Sequence, residues 1–382
     1  MAMVYRDFQD LRLSGLGFGA MRLPVIDGDD GNIDREKTFE LIDKAMSGGI
    51  NYYDTAWGYH NGQSEIVLGE ALAKYPRESF YISSKFPGYD LSNMLKVKEI
   101  FEKQLEKTGM EYFDFYLFHN VCEMNIDQYL DPKFGIFDYL MEQKKNGRIR
   151  HLGFSCHGEY ETLKRFIDAY GEHMEFCQIQ LNYLDWKFQD AKAKVELLNE
   201  KGIPVWVMEP LRGGKLAALD DKFETELKAL RPDEAIPAWA FRFLQSIEGV
   251  TMVLSGMSTM QQLEDNLKTF GEDKPLNEKE MDVLMSVVDR MLERKSVPCT
   301  ACHYCVSHCP QGLDIPRLIS LYNEHFITIE GGGFDFIAPM ALSVIPDEKR
   351  PASCLHCHSC EQVCPQQIKI SDMMSDFVSE IG

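Results

Sequence analysis

The chain has 382 residues, 45% hydrophobic and 26% charged, with 60 acidic residues against 40 basic ones and a formal net charge of -20. That length accommodates one large barrel plus a small domain, and so acidic a surface repels phosphate backbones, so no nucleic-acid partner is expected. No run approaches the roughly 18 consecutive apolar residues of a membrane span, and MAMVYRDFQD has no apolar signal core, so a cytoplasmic protein without a membrane partner is expected.

Strands are predicted at 15–19, 51–54, 80–85, 113–119, 149–155, 177–182, 205–209 and 251–255. Helical periodicities separate them at 36–47, 64–74, 97–108, 134–145, 159–170, 188–200 and 237–245. Several strands (FYISSKF, FDFYLFH, VWVM) are nearly continuous apolar runs, as parallel strands buried on both faces require. Eight strand–helix units predict an α/β chain with a (β/α)8 TIM barrel. A doubly wound sheet is the rival, but GLGFGAMRLP after the first strand lacks its Gly-x-Gly-x-x-Gly turn into a helix. The pattern at 277–295, acidic at its start and basic at its end, reads as the barrel's closing helix. The expected domains are the barrel, 1–295, and a small second domain, 296–382, with 331–333 and 339–351 as loop or connector.

Eight of the eleven cysteines lie in that tail. Cys299, Cys302, Cys305 and Cys309 form C-x2-C-x2-C-x3-C followed by Pro310, and Cys354, Cys357, Cys360 and Cys364 repeat it before Pro365. This resembles the bacterial ferredoxin run for [4Fe–4S] clusters, in which the fourth cysteine of each run ligates the other cluster, so 296–382 is expected to be a small ferredoxin-like iron–sulfur domain. Cys299, Cys302, Cys305 and Cys364 are therefore assigned to one cluster, and Cys354, Cys357, Cys360 and Cys309 to the other. Structural zinc is the rival, but it is usually met by two separated pairs. His303, His356 and His358, inside the runs, are read as surface or loop residues, as are His151 and His157.

The C-terminal ends of barrel strands build the active site. Strand two ends in Asp54, with Tyr59 five residues on; strand three ends in Lys85 and strand four in His119. A carboxylate and a lysine leaving apolar runs are costly unless paired. Buried together, they are expected to lower the pKa of Tyr59 so that its hydroxyl serves as a general acid, with His119 orienting a carbonyl oxygen. Trp57, between Asp54 and Tyr59, is a candidate wall of a substrate pocket, and Cys122 a small buried residue near its mouth.

The string YYDTAWGYHNGQSEIVLGEAL resembles the aldo-keto reductase signature, and SSKF and DFYLFHN are similar to that family's lysine and histidine strands. RHLGFSCH, CQIQLNYL, VMEPLRGGKLA and LSGMSTMQQLEDNL follow in the family's order, so the resemblance covers about residues 10–290. It implies a catalytic tetrad of Asp54, Tyr59, Lys85 and His119, with Tyr59 donating a proton to a carbonyl reduced by a nicotinamide cofactor, NADP or NAD. It further implies that Ser155 and Gln178 hold the carboxamide. Pro210, Leu211, Gly213, Gly214 and Lys215 would fold over the pyrophosphate, and Ser255, Gly256, Met257, Gln262 and Asn266 would bind the adenosine half. Cys156 stands where the family usually has asparagine, Met208 where an aromatic residue commonly stacks, and GMSTMQQ lacks the basic residue often used for a 2'-phosphate.

Hydride transfer moves two electrons and each cluster one, a mismatch that a flavin resolves. The expected function is carbonyl/alcohol redox with a nicotinamide cofactor, coupled to electron transfer through two [4Fe–4S] clusters, on a small-molecule carbonyl or alcohol substrate and with a redox partner protein. The alternatives are a flavin-dependent electron-transfer protein and a non-catalytic barrel with structural or sensing clusters.

Overall fold

In a computed structural model, the chain is described except for residues 1, 2, 296, 298, 300–302, 304, 330–334, 365 and 382 and the side chains of 293–295. It divides into two compact units, one comprising Met1–Pro210 and Asp233–Met281 and the other Leu211–Pro232 and Asp282–Gly382.

The first unit is the barrel. A hairpin of β1 (Tyr5–Phe8) and β2 (Leu11–Ser14) precedes the eight barrel strands: β3 (Leu16–Gly19), β4 (Tyr52–Asp54), β5 (Tyr81–Phe86), β6 (Phe113–Val121), β7 (Ile149–Cys156), β8 (Cys177–Gln180), β9 (Val205–Met208) and β10 (Val250–Gly256). β3 to β10 pair in sequence order, all parallel, and β10 closes on β3. All eight predicted strands are present within two residues at each end. Tyr52, Phe115, Phe176 and Trp206 fill the interior with large rings that are fully buried.

The sequence reading did not foresee the hairpin, because YRDF and LRLS alternate charged and apolar residues with no turn signal beyond Gln9 and Asp10. Its function is a plug. The Phe8 ring stands 4.9 Å from Trp206, 5.7 Å from Phe115 and 6.4 Å from Phe176, all near the N-terminal ends of their strands. One end of the barrel is thereby stoppered with aromatic side chains, and the opposite strand ends carry the polar groups. Outside the sheet, the helix Ser64–Leu72 lies so close to Val97–Thr108 that a Cβ on Gly69 would sit 2.3 Å from the Thr108 carbonyl oxygen, so only glycine fits there.

The second unit is helical. Ile315–Ile329 and Ile370–Ile381 bury Leu318, Ile319, Leu321, Met374 and Phe377 in one core with Cys305 and Cys360. The region 339–351, expected as connector, is partly ordered as the helix Ile337–Ser343 and short 3-10 turns; its apolar IAPMAL stretch supplies Ala338 to the core. The glycine run 331–333 lies outside the described residues. The excursion 211–232 between β9 and the helix Ile236–Gln245 groups with the tail, which a division at residue 295 does not anticipate.

Replacing Phe8, 3% exposed, by alanine leaves a cavity among four rings. The expected cost is about 3–5 kcal/mol of barrel stability in denaturant titrations, with the site chemistry unchanged at low temperature; a loss below about 1 kcal/mol would contradict the plug.

Candidate active site

Asp54 closes β4, Lys85 is the next-to-last residue of β5, and His119 lies near the end of β6. Register sets their heights: Asp54 pairs with Ser83 and Lys85 with Leu117. The Lys85 ammonium donates to Asp54 Oδ2 at 2.6 Å and to the Thr55 carbonyl oxygen at 2.8 Å, and it stands 3.4 Å from the Tyr59 hydroxyl. The Tyr59 ring meets His119 edge to face at 6.0 Å, and Tyr89 packs on the other side of the imidazole at 5.2 Å. The structure therefore brings together all four residues singled out at the strand ends.

Burial governs their protonation. It disfavours the Lys85 ammonium, but Asp54 and Tyr59 outweigh it and hold Lys85 above the ordinary lysine value. Burial pushes the Tyr59 hydroxyl up and Lys85 only partly opposes it, so the expected lowering of its pKa is not observed. The phenol keeps its proton. Burial and the Lys85 charge push His119 well below the ordinary histidine value, leaving a neutral imidazole.

Ser155 and Gln178 face each other across the β7–β8 ladder. The Ser155 hydroxyl accepts from the Asn120 amide at 2.8 Å, and the Gln178 side-chain nitrogen lies 3.6 Å from the Met208 sulfur. The buried Gln178 Oε1 has no hydrogen-bond partner among the described residues, an acceptor that fits a carboxamide NH2. Cys156 is buried beside them, its thiol pushed up to about 12 by burial. At the end of β10, Asn266 donates to the Ser255 hydroxyl at 3.1 Å, and Gln262 completes a capping box with Thr259. Gly256 is crossed by Arg22, whose Cβ would lie 3.1 Å from a Cβ placed there. Pro210 closes the first unit's segment, whereas Leu211, Gly213, Gly214 and Lys215 belong to the second. There the loop turns through left-handed conformations at Arg212, Gly213 and Gly214 (φ 47°, 67° and 98°).

In the same unit Cys309, Cys354, Cys357 and Cys360 line one cavity. His356 and His358, exposed and left-handed (φ 50° and 56°), wind the chain between these cysteines. Burial raises the Cys360 thiol to about 11, whereas the Ser359 amide lowers that of Cys357. Cys299, Cys305 and Cys364 pack about the same core, and Cys302 lies outside the described residues. Among the described residues no three metal-binding side chains are already drawn up around one ion position. The donor set nonetheless fits an iron–sulfur cluster, being four cysteines, none in a disulfide, around one cavity.

The sequence profile described as "Aldo/keto reductase family" matches residues 15–289. The chain belongs to that family. A second profile, "4Fe-4S dicluster domain", matches residues 298–368. The aldo/keto reductase is similar to the NADH-specific methylglyoxal reductase of Escherichia coli, with 27% identity over 54% of this chain and 66% of that protein, just under two thirds of its length. To the L-galactose dehydrogenase of Arabidopsis thaliana it is 24% identical over 74% of the chain and 92% of the relative. Among solved structures, the holo form of an aldo-keto reductase from Bacillus halodurans matches 75% of the chain and 96% of its own, at 24% identity and TM-score 0.61. One from Klebsiella pneumoniae in complex with NADPH matches 76% and 95%, at 17% identity and TM-score 0.59.

The site also depends on residues that sequence reasoning passed over. His60 and Asn61, both left-handed, make the turn behind Tyr59, and His60 Nε2 accepts from the Leu23 amide at 3.0 Å. That bond fixes the tautomer, so Nδ1 donates to Asp30. Behind Lys85, fully buried Glu65 accepts from Ser84, Gln104 and Lys107, and Gln104 also donates to the Lys85 carbonyl oxygen. Asn125 braces the loop after β6 by donating to the carbonyls of Gly88 and Asn120. The only sequence signal was the polar residue in an apolar helix, as with Glu65 in SEIVLGEAL. Trp57, beneath the Lys107 ammonium at 4.6 Å, walls a cleft of about 680 Å³ with Tyr89. Cys122 is buried, and so is His151, which was expected at the surface but packs on Phe115 and bonds Glu175 at 2.8 Å.

His119 is expected to stay neutral at pH 6, below the ordinary histidine value of about 6.5. Nitrogen chemical shifts of labelled histidine would read this directly; a His119 that titrates with the exposed histidines would refute the dry environment.

Proposed function

We propose that this reductase uses Tyr59 to protonate the oxygen of a small-molecule carbonyl as NADPH or NADH reduces its carbon, and oxidises the alcohol in reverse. The segment 1–295 carries the barrel, although 211–232 and 282–295 within it belong to the second compact unit. Domain 296–382 holds two [4Fe–4S] clusters that exchange electrons with a redox partner protein. One observation carries the reading of the barrel: a protonated tyrosine 3.4 Å from a lysine that a buried aspartate keeps charged, beside a neutral imidazole.

The bound nicotinamide supplies the hydride. The rest is done by this chain's side chains. The Tyr59 hydroxyl gives its proton to the carbonyl oxygen, and the resulting tyrosinate lies within reach of the Lys85 ammonium, which stabilises it. Asp54 fixes that ammonium, with an oxygen 2.6 Å away. Neutral His119 donates to the same oxygen without adding a charge that would compete with Lys85. Gln178 Oε1 and the Ser155 hydroxyl hold the carboxamide, and Ser255, Gly256, Gln262 and Asn266 the adenosine half. Pro210, Leu211, Gly213, Gly214 and Lys215 hold the phosphates with backbone amides and one cation.

In the tail, Cys354, Cys357, Cys360 and Cys309 hold one cluster, and Cys299, Cys302, Cys305 and Cys364 the other. The shared cavity of Cys309 with the second run supports this exchange of fourth ligands.

Tyr59→Phe should lower carbonyl reduction by at least about 100-fold while nucleotide affinity in fluorescence titrations stays within about twofold. Because burial raises Tyr59 above the ordinary tyrosine value, wild-type reduction should be flat between about pH 6.5 and 9. Full activity in Tyr59→Phe would remove the proton-donor role.

Cys309→Ser and Cys357→Ser should each remove the same half of the iron and the same paramagnetic signal after anaerobic reconstitution, and Cys364→Ser the other half. Matching losses for Cys309→Ser and Cys305→Ser would show instead that each run serves a single cluster.

A further inference from the structure

An arginine in a glycine-rich loop assigned to phosphates reads at first as a phosphate ligand. Arg212 is turned elsewhere. Its guanidinium donates to Glu324 Oε1 at 2.7 Å and to the Thr328 hydroxyl at 3.1 Å, and both side chains are at least 94% buried in the ion pair. Glu324 and Thr328 sit one turn apart on Ile315–Ile329, and Thr328 donates to the same carboxylate oxygen at 3.1 Å. The same helix packs Leu318, Ile319 and Leu321 into the core that contains Cys305 and Cys360.

The pair falls at a turn of strained backbone. Arg212 adopts a left-handed conformation, unfavourable for a residue with a Cβ, and the two glycines after it are left-handed as well. Two amide contacts to the Leu211 carbonyl oxygen, from Gly214 and Leu216 at 3.0 Å each, are the turn's internal hydrogen bonds among those described. Leu216 is fully buried and anchors the far side. Farther along the excursion, Arg290 holds Glu226 through two bonds of 2.8 and 2.6 Å, a second tie within the same unit that does not touch the loop.

We infer that Arg212 and Glu324 are positioning residues through which the iron–sulfur core sets the shape of the nucleotide-phosphate loop, so that nucleotide affinity depends on that core. This rests on the assignment of 211–215 to the phosphates. A buried pair suits such a task, because breaking one half leaves an uncompensated buried charge and the loop must move to solvate it. Arg212 touches no substrate in this scheme. It acts only through the backbone of Gly213 and Gly214.

The test uses the anaerobically reconstituted full chain, with NADPH and NADH as the probes in calorimetric titrations. Glu324→Gln should weaken binding of the preferred nucleotide by about tenfold and raise its KM in proportion, with kcat at saturation within about twofold. Iron content and the paramagnetic spectrum should be unchanged. Glu226→Gln, which loosens the excursion away from the loop, should bind like wild type. Unchanged affinity in iron-replete Glu324→Gln overturns the inference, as does an equal loss in Glu226→Gln. Should Glu324→Gln fail to load iron, the double variant Arg212→Met, Glu324→Leu removes both charges together, which a buried site tolerates better. Weakened nucleotide binding there supports the positioning role and wild-type binding overturns it. Lys215→Gln separates the two readings, since it removes the cation assigned to the phosphates and leaves the left-handed glycines in place. If Lys215→Gln binds nucleotide normally, the loop is not the phosphate site. If it binds poorly while Glu324→Gln binds normally, the loop assignment stands and the positioning role alone falls.

Discussion

A single buried ion pair organises the catalytic half of the protein. Lys85 is fully buried and the Asp54 side chain nearly so, 2.6 Å apart, at the ends of strands that are otherwise apolar. Neither charge is tolerable alone in such a place, and together they tolerate burial only with further partners, here the Thr55 carbonyl and the Tyr59 hydroxyl. The same exclusion of water that makes the pair costly to break also keeps His119 neutral and Tyr59 protonated. Acid, cation and neutral donor are thus three outcomes of one dry environment. Glu65, Gln104 and Ser84 extend it by fixing the backbone of the strand that carries Lys85.

The barrel was legible because its strands are buried on both faces, so that apolar runs mark them without any alternation to decode. The strand-end polar residues stood out against those runs for the same reason. Conspicuous residues are not the whole site. His60 and Asn125 act through bonds to backbone groups, among them Leu23 and Gly88, 37 residues away in each case, and no local pattern announces such bonds. The sign of the Tyr59 shift was misjudged because the nearby cation was weighed without the burial that accompanies it; burial is the larger effect. The hairpin that stoppers the barrel was invisible because its strands mix exposed and buried residues and Phe8 meets its ring partners far along the chain, at Phe115, His151, Phe176 and Trp206.

In the tail, spacing named the cysteines and geometry adds how they are presented. Left-handed histidines between them bend a short chain so that sulfurs three residues apart line one cavity. Leu355 and Cys357 are exposed beside it, so that side of the cavity is near water. The segment carries 10 acidic residues against 4 basic ones. That excess belongs to the segment as a whole, since no carboxylate among the described residues lines the cavity itself. What spacing did not reveal is that the tail's compact unit also includes 211–232.

That discontinuity makes the chain less modular than its two family profiles suggest. A ferredoxin-like segment appended to a finished barrel could be removed by one cut near residue 295 and leave both products whole. Here such a cut would part Arg212 from Glu324 and divide a compact unit, leaving the helix Asp221–Leu230 with 282–295 alone, through Glu226 and Arg290. The tail would in turn lose a helix of its own unit. The boundary between the compact units therefore falls at Pro210 and Met281 and not at the junction of the two profiles, so a chain divided near 295 is divided inside one unit.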